Sequence, residues 1–365
     1  MLVAALLAGG YPLSVGSYLC AAVWLGLAVA ASWRPPPVPS LAAGALLALA
    51  ALTLLSALWG RSGEALALAQ LPALYAGLLY AAEWTGGAAL RPLRNAIAIV
   101  AAAALAGRVS GFAAPGPGVR LAWPIGYANG IGLLCALGVI LAVAARRWLP
   151  AAICAAALVW SLSRSALVAC LLGLVLVPAL RGCRWAQLGL AAVAVAAALV
   201  AWPAYERFQS PAPDSRSVSR LATVSGHGRT ELWRSALREG AQHPPAGGGA
   251  GSWARVAHAR TTNPHSLELQ TFAELGLLGL AALAVFLVDV LRRRRPEAAL
   301  AAFAAWAVVA AVDWDWQLPA VTGAAMVCAG ALTGSRRRLG SGWSVAVAAA
   351  ALAIGLAALV RGVTA

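Results

Sequence analysis

Apolar runs of roughly 17 to 25 residues, the length that crosses about 30 Å of hydrocarbon at about 1.5 Å per residue, recur along most of this chain. They predict helical crossings near 17–32, 40–58, 65–84, 92–111, 126–144, 148–162, 164–180, 185–203, 265–291, 298–314 and 318–334. A further run near 342–360 brings the expected number from about eleven to about twelve. Arg, Pro and Gly clusters separate the runs, and one long polar interval, 204–264, breaks the series. The pattern divides the chain into an N-terminal transmembrane bundle (1–203), an extracytoplasmic loop (204–264) and C-terminal transmembrane helices (265–365). The predicted class is all-α and polytopic.

Composition sharpens this picture. The 365 residues are 62% hydrophobic and only 11% charged, which excludes a soluble globular domain, where charged residues run near 25%. The six cysteines (20, 135, 154, 170, 183 and 328) show no paired spacing, so neither a disulfide framework nor a zinc site is expected. The formal charge of +15 is carried wholly by arginine, and the Ala-Arg-Gly richness is read as genomic base composition. No arginine precedes Arg34, so the start lacks the basic segment of a cleavable signal peptide, and residues 1–10 read as a short apolar lead-in.

The arginines also test the spans, because a correct set must place basic clusters on alternating connections. Arg34, Arg91/Arg94, Arg146/Arg147, Arg181/Arg184, Arg292 to Arg295 and Arg336 to Arg338 then share one face, expected to be cytoplasmic. The opposite face carries the connection 112–125, the Ser163-Arg164 junction, the loop 204–264 and Asp313-Trp314-Asp315-Trp316. Polar chemistry is therefore expected on that outer face. No internal repeat is apparent, and Arg34-Pro35-Pro36-Pro37 reads as a stiff connection.

All four histidines, His227, His243, His258 and His265, lie in or at the edge of the long polar interval. Within it, residues 229–240 place Leu232, Trp233, Ala236 and Leu237 on one helical face, predicting an amphipathic helix lying on the bilayer or on the bundle. His243-Pro244-Pro245 ends that helix, and Gly247 to Gly251 reads as a flexible turn. As a phosphate loop the run lacks a following Gly-Lys-Ser/Thr and a preceding strand.

Several residues carry candidate chemistry. Arg164, at the outer end of a helix, either snorkels to the interface or acts on an anion. Arg229 starts the amphipathic helix, the unfavourable end for a cation, and so invites an anionic partner. Asn263-Pro264 predicts a cap and first helical residue, with His265 in the first turn of a membrane helix. The positive end of that helix disfavours imidazolium and leaves a ring able to accept a proton. Glu268, three residues on, either orients the ring or caps the helix start. Asp313 and Asp315 are read first as partners for outward arginines, with a proton pathway or a cation site as alternatives. The stretch Arg120-Leu121-Ala122-Trp123-Pro124-Ile125-Gly126-Tyr127-Ala128-Asn129 combines a cation, aromatics and an amide, and also fits an interfacial aromatic belt.

In order along the chain, four stretches resemble the O-antigen ligase and polymerase superfamily: Arg120 through Asn129; Ser161-Leu162-Ser163-Arg164-Ser165; Gly228-Arg229 to Trp233 with a Pro-Gly tail to Trp253; and His265-Ser266-Leu267-Glu268 through Ala273-Glu274-Leu275-Gly276-Leu277-Leu278-Gly279. The resemblance covers roughly residues 120 to 280. It implies a helical C-type glycosyltransferase fold and an inverting, metal-independent transfer of glycan from an undecaprenyl-diphosphate-linked donor. The reaction would take place on the outer face of the cytoplasmic membrane. By the same resemblance Arg164 and Arg229 hold the diphosphate and His265 activates the acceptor hydroxyl, with Arg120, Tyr127, Asn129, Asn263 and Glu268 as expected substrate contacts. The chain departs from the frequent His-Asn start of the last motif, having His265-Ser266 with Asn263 placed before it. Expected partners are the lipid-linked donor, a glycan, lipid or other hydroxyl acceptor, and membrane lipids; no cofactor, metal or nucleic acid is expected.

A secondary transporter or flippase of lipid-linked glycans also predicts many helices and intramembrane charges. It would place polar groups deep in two related halves, whereas here they gather at one face, which favours an enzyme.

Overall fold

The computed structural model describes residues 13–60, 64–112, 120–183, 229–256, 261–335 and 337–364. The expected crossing at 185–203, the polar interval through Gly228, and residues 257–260 lie outside these, and with them His227 and His258.

Among the described residues the chain is helical: α1 (Leu13–Trp33), α2 (Leu41–Leu55), α3 (Ala65–Thr85), α4 (Leu90–Val109), α5 (Ala128–Ala144), α6 (Trp148–Ser161), α7 (Arg164–Leu180), α8 (Arg229–Gln242), α9 (Ser252–Val256), α10 (Leu267–Leu291), α11 (Glu297–Ala310), α12 (Pro319–Thr333) and α13 (Ser341–Thr364). Each apolar run predicted within the described residues is a helix. Five apolar helical stretches are long enough to cross a membrane: 14–33, 41–58, 65–109, 267–291 and 341–363, the third containing both α3 and α4. The shorter apolar helices, such as α11 with 14 residues, span about 21 Å. Large apolar side chains such as Val29, Trp33, Val168, Leu171, Val288, Trp343, Val345 and Val363 point outward. Water would disfavour that surface and hydrocarbon accepts it.

The helices alternate between two ends. At one, Val38 N–H donates to Arg337 O (3.1 Å) and Leu339 N–H to Pro36 O (2.9 Å), joining the Pro-rich connection to the basic segment before α13. Glu83 at the close of α3 accepts from Thr333 Oγ1 (2.7 Å) at the close of α12. Asp289 near the end of α10 accepts from Ala42 N (3.0 Å) at the start of α2. Arg181 Nη2 meets Ala144 O (3.5 Å). This is the common arginine-bearing end expected from the sequence. The starts of α3, α5, α7, α10 and α12 lie at the other end.

Close packing relies on small residues, which let helices without interior water approach each other. α5, apolar all round except for Asn129, is buried on every side. A Cβ on its Gly132 would stand 2.5 Å from Ser161 Oγ and 3.0 Å from Ser163 Cβ, so α5 lies directly on the Ser161–Ser165 turn.

The glycine-rich segment is packed into the bundle rather than loose. Gly248 N–H donates to Ala273 O (3.0 Å) and Gly249 N–H to Glu274 O (2.9 Å), while Leu277 and Leu278 N–H donate to Pro244 O (2.8 Å) and Pro245 O (3.1 Å). These contacts satisfy backbone groups that α10 releases at a kink centred on Gly276, whose φ of 62° is a left-handed value. A Cβ at Gly276 would stand 2.6 Å from Ala246 N and Pro244 O. The Ala273–Gly279 stretch thus serves as a socket for the loop. α8 packs on α10 through the buried trio Ala236, Trp253 and Ala273, with Leu232 beside it; Leu237, expected on the same face, is exposed because it lies about 100° round the helix from Ala236.

Candidate functional site

The site forms where α10 begins. The helix starts at Leu267, later than the Asn263-Pro264 cap expected, because Ser266 caps it by accepting from Leu269 N–H (3.3 Å). His265 therefore precedes the helix, with a positive φ of 55°. Asn263 Oδ1 holds that turn by accepting His265 N–H (3.2 Å), and Asn263 itself is buried. A non-glycine residue in this conformation is uncommon and persists where its surroundings fix it. Glu268 does not orient the imidazole: its Oε2 accepts from Ser266 Oγ (3.3 Å), the capping alternative.

The group that meets the ring is Asp313, in the connection between α11 and α12. Its Oδ1 lies 3.2 Å from His265 Nδ1, and its Oδ2 lies 3.0 Å from Arg229 Nη2. Tyr127 Oη donates to Oδ1 (2.9 Å), Asn129 Nδ2 to Oδ2 (2.7 Å) and Trp314 N–H to Oδ1 (2.8 Å). The carboxylate has no solvent exposure, whereas Arg229 and His265 are about one-fifth exposed, at 20% and 21%. Both cationic or basic groups thus rest on a buried anion while keeping an open side. Burial alone would push the Asp313 carboxyl up, but the His265 hydrogen bond and the Arg229 charge outweigh it and hold it at about 2. An ionised Asp313 favours the proton on His265 Nδ1, which leaves Nε2 as the acceptor. The expected arginine partner for Asp313 is found, while its contact with His265 was missed. The available signal was a carboxylate on the same predicted face as His265.

Asp315 behaves oppositely. It too is fully buried, and neither carboxyl oxygen has a hydrogen-bond partner among the described residues. Burial and the neighbouring Asp313 charge push it well above the usual carboxylate range, so it stands as a neutral acid beneath an ionised one. Tyr127 is likewise pushed up, by burial and then by Asp313, and acts as a donor.

The second side of the site comes from α5 to α7. Arg120 Nη2 donates to Asn129 Oδ1 (2.5 Å) and its Nε to Ser161 O (2.9 Å). Arg120 thereby ties the Asp313 cluster to the turn that presents Arg164. That arginine opens α7 directly after Ser163, which caps the helix by accepting from Ala166 N–H (3.4 Å). Of the residues singled out in the sequence, Arg229, His265, Tyr127 and Asn129 touch Asp313, Arg120 joins through Asn129, and Asn263 sets the His265 turn. Arg164 stands at the same end of the bundle.

Fold and site together define a polytopic all-α membrane protein with a polar centre built at one end of its bundle. Residues 149–284 match the O-antigen ligase family model, so this stretch of the chain is similar to that family. No curated protein and no solved structure matches the chain. The matched stretch includes Arg164, Arg229 and His265; Asp313, Tyr127 and Asn129 lie outside it.

Proposed function

We propose that the protein transfers a glycan from an undecaprenyl-diphosphate-linked donor to an acceptor hydroxyl, without a metal and with inversion, at the outer face of the cytoplasmic membrane. The observation that carries this reading is the buried Asp313 carboxylate bridging His265 and Arg229. In the proposed reaction the acceptor oxygen attacks the anomeric carbon while His265 Nε2 takes its proton. The bond from that carbon to the diphosphate oxygen breaks, and the electron pair leaves with the diphosphate. Arg229 and Arg164 bind the growing negative charge through planar guanidinium contacts, which are strongest where water is excluded. Asp313 keeps the imidazole in the tautomer that can accept the proton and offsets the charge that then develops on it.

Donor affinity and single-turnover rate in lipid nanodiscs, with chelator present, test the assignment. His265→Ala is expected to lower the rate about 10²- to 10⁴-fold while leaving donor affinity within about twofold. Arg229→Ala is expected to weaken both, because the diphosphate is anionic before and during transfer. A His265→Ala enzyme that loses donor binding but keeps its saturated rate would make His265 a donor contact. Activity that depends on added metal would overturn the metal-free mechanism.

A further inference from the structure

A cavity of about 720 Å³ lies beside the His265–Asp313 centre, within the size range of small-molecule sites. Its walls come from α2, α3, α10, α11 and α12, with the segment around α9 at its rim. None of its lining belongs to α5, α6 or α7, the elements that present Asn129 and Arg164. It follows α10 from Leu267 to Phe286, a rise of roughly 28 Å before the kink shortens it.

The lining changes character along that length. Near the site it carries Glu64, Arg255, Gln270, Glu274 and Gln317; deeper it is walled by side chains such as Leu49, Leu71, Leu283, Phe286, Trp306 and Met326. Glu274 is buried and accepts from Gln270 Nε2 (3.1 Å), and Gln317 Nε2 reaches Gln270 Oε1 (3.5 Å). Trp316 also lines the cavity, and its buried indole N–H has no partner among the described residues. Among the described residues the rim sets two carboxyl groups against one arginine, a poor match for a diphosphate. Carboxylates, amides and an indole N–H suit sugar hydroxyls, which both donate and accept. The rim also adjoins the base: Leu267 is two residues beyond His265, and Trp316 and Gln317 follow Asp313 by three and four.

We propose that this cavity is the acceptor site and takes an amphiphile with an uncharged, polyhydroxylated head and an apolar stem. The head sits at the Glu274–Gln270–Gln317 rim with one hydroxyl toward His265, and the stem lies among Leu49, Phe286 and Met326. This assignment rests on the transfer reading above. It gives that reading the arrangement an inverting displacement needs, with the acceptor entering on one face of the reacting carbon as the diphosphate departs from the opposite face. The cationic side runs through Arg120, Arg164 and Arg229, and the cavity lies on the α2–α3 side of the same centre.

The test is equilibrium binding of decyl β-D-glucoside and of undecaprenyl monophosphate to the full chain in nanodiscs. Leu49→Trp fills the apolar stem, Ala67→Leu is a smaller insertion into the same wall, and Glu274→Gln changes the rim while keeping its shape. Saturable glucoside binding is expected in the wild type, weakened about tenfold or more by Leu49→Trp and Glu274→Gln and less by Ala67→Leu. Undecaprenyl monophosphate affinity should stay within about twofold in all three and fall in Arg229→Ala. Absence of saturable glucoside binding, or affinities unchanged by both insertions, would overturn the proposal. Loss of undecaprenyl monophosphate in the filled variants would give the cavity to the donor's prenyl chain instead. Failure of the transfer reading looks different: undecaprenyl monophosphate would then bind without regard to Arg229, whatever the glucoside does.

Discussion

Two aspartates buried at opposite ends of the bundle use the same chemistry for different ends. Asp289 takes its charged partners from its own helix and the residues that follow, Arg292 at 2.5 Å and Arg293 at 3.0 Å, and a fixed backbone donor from Ala42. Asp313 takes its side-chain partners from segments 48, 84, 184 and 186 residues away: His265, Arg229, Asn129 and Tyr127. The arginines on Asp289 lie three and four residues on, the spacing that brings side chains together on one helical face. Asp289, held by these arginines, pins α10 to the start of α2 through Ala42 N–H at the arginine-bearing end. The partners of Asp313 meet only because several elements converge, and they include a histidine and an arginine that keep an exposed side. A buried anion with local cations acts as a clamp, whereas one that gathers distant partially exposed groups prepares a site.

The sharpest way to break this comparison is to neutralise each aspartate in turn. Asp313→Asn is expected to reduce single-turnover transfer by about 10²-fold or more, since the imidazole loses the charge that sets its tautomer and supports its protonated form. Asp289→Asn should lower stability by about 1–3 kcal/mol in a denaturant melt and leave the saturated rate within about twofold. Equal losses of rate in two folded variants would erase the distinction.

A smaller effect is expected at the other cationic flank. Arg164→Lys keeps the charge but replaces a planar two-pronged donor with a point charge, and kcat/KM should fall about tenfold. Near-normal turnover with lipid-linked donor would return Arg164 to a snorkelling role.

The smallest change, and a signed one, concerns Asp315. Its carboxyl is pushed up in the folded protein, so its contribution is fully present below the unfolded value of about 4 and is lost as pH rises through the folded value. Asp313, held down at about 2, contributes above about pH 4 and loses that contribution as pH falls toward about 2. Asp315→Asn should therefore gain stability relative to the wild type as pH rises from about 5 to about 9, with transfer changed less than about threefold. Unfolding midpoints across that range check the sign. A variant that loses ground toward high pH would show that Asp315 is held ionised.

The membrane helices were legible in the sequence because they answer to local constraints. An apolar run must satisfy its backbone within itself in hydrocarbon, so its length and its flanking arginines mark each helix and the common arginine-bearing end. The individual candidate residues also stood out: His265, Arg164, Tyr127 and Asn129 are polar at the edge of an apolar run, and Arg229 is a cation at the start of the amphipathic helix. Tertiary structure decided how they combine. Nothing near His265 in sequence marks Asp313 as its partner, and Glu268, the nearer carboxylate, is drawn instead into the cap of α10. Nor does the composition of Gly247–Gly251 distinguish a loose turn from a plug. That outcome depended on the kink at Gly276, which freed the backbone groups that the glycine run now satisfies. Local pattern specifies what each segment must bury; which distant groups share that burial follows from how the helices pack.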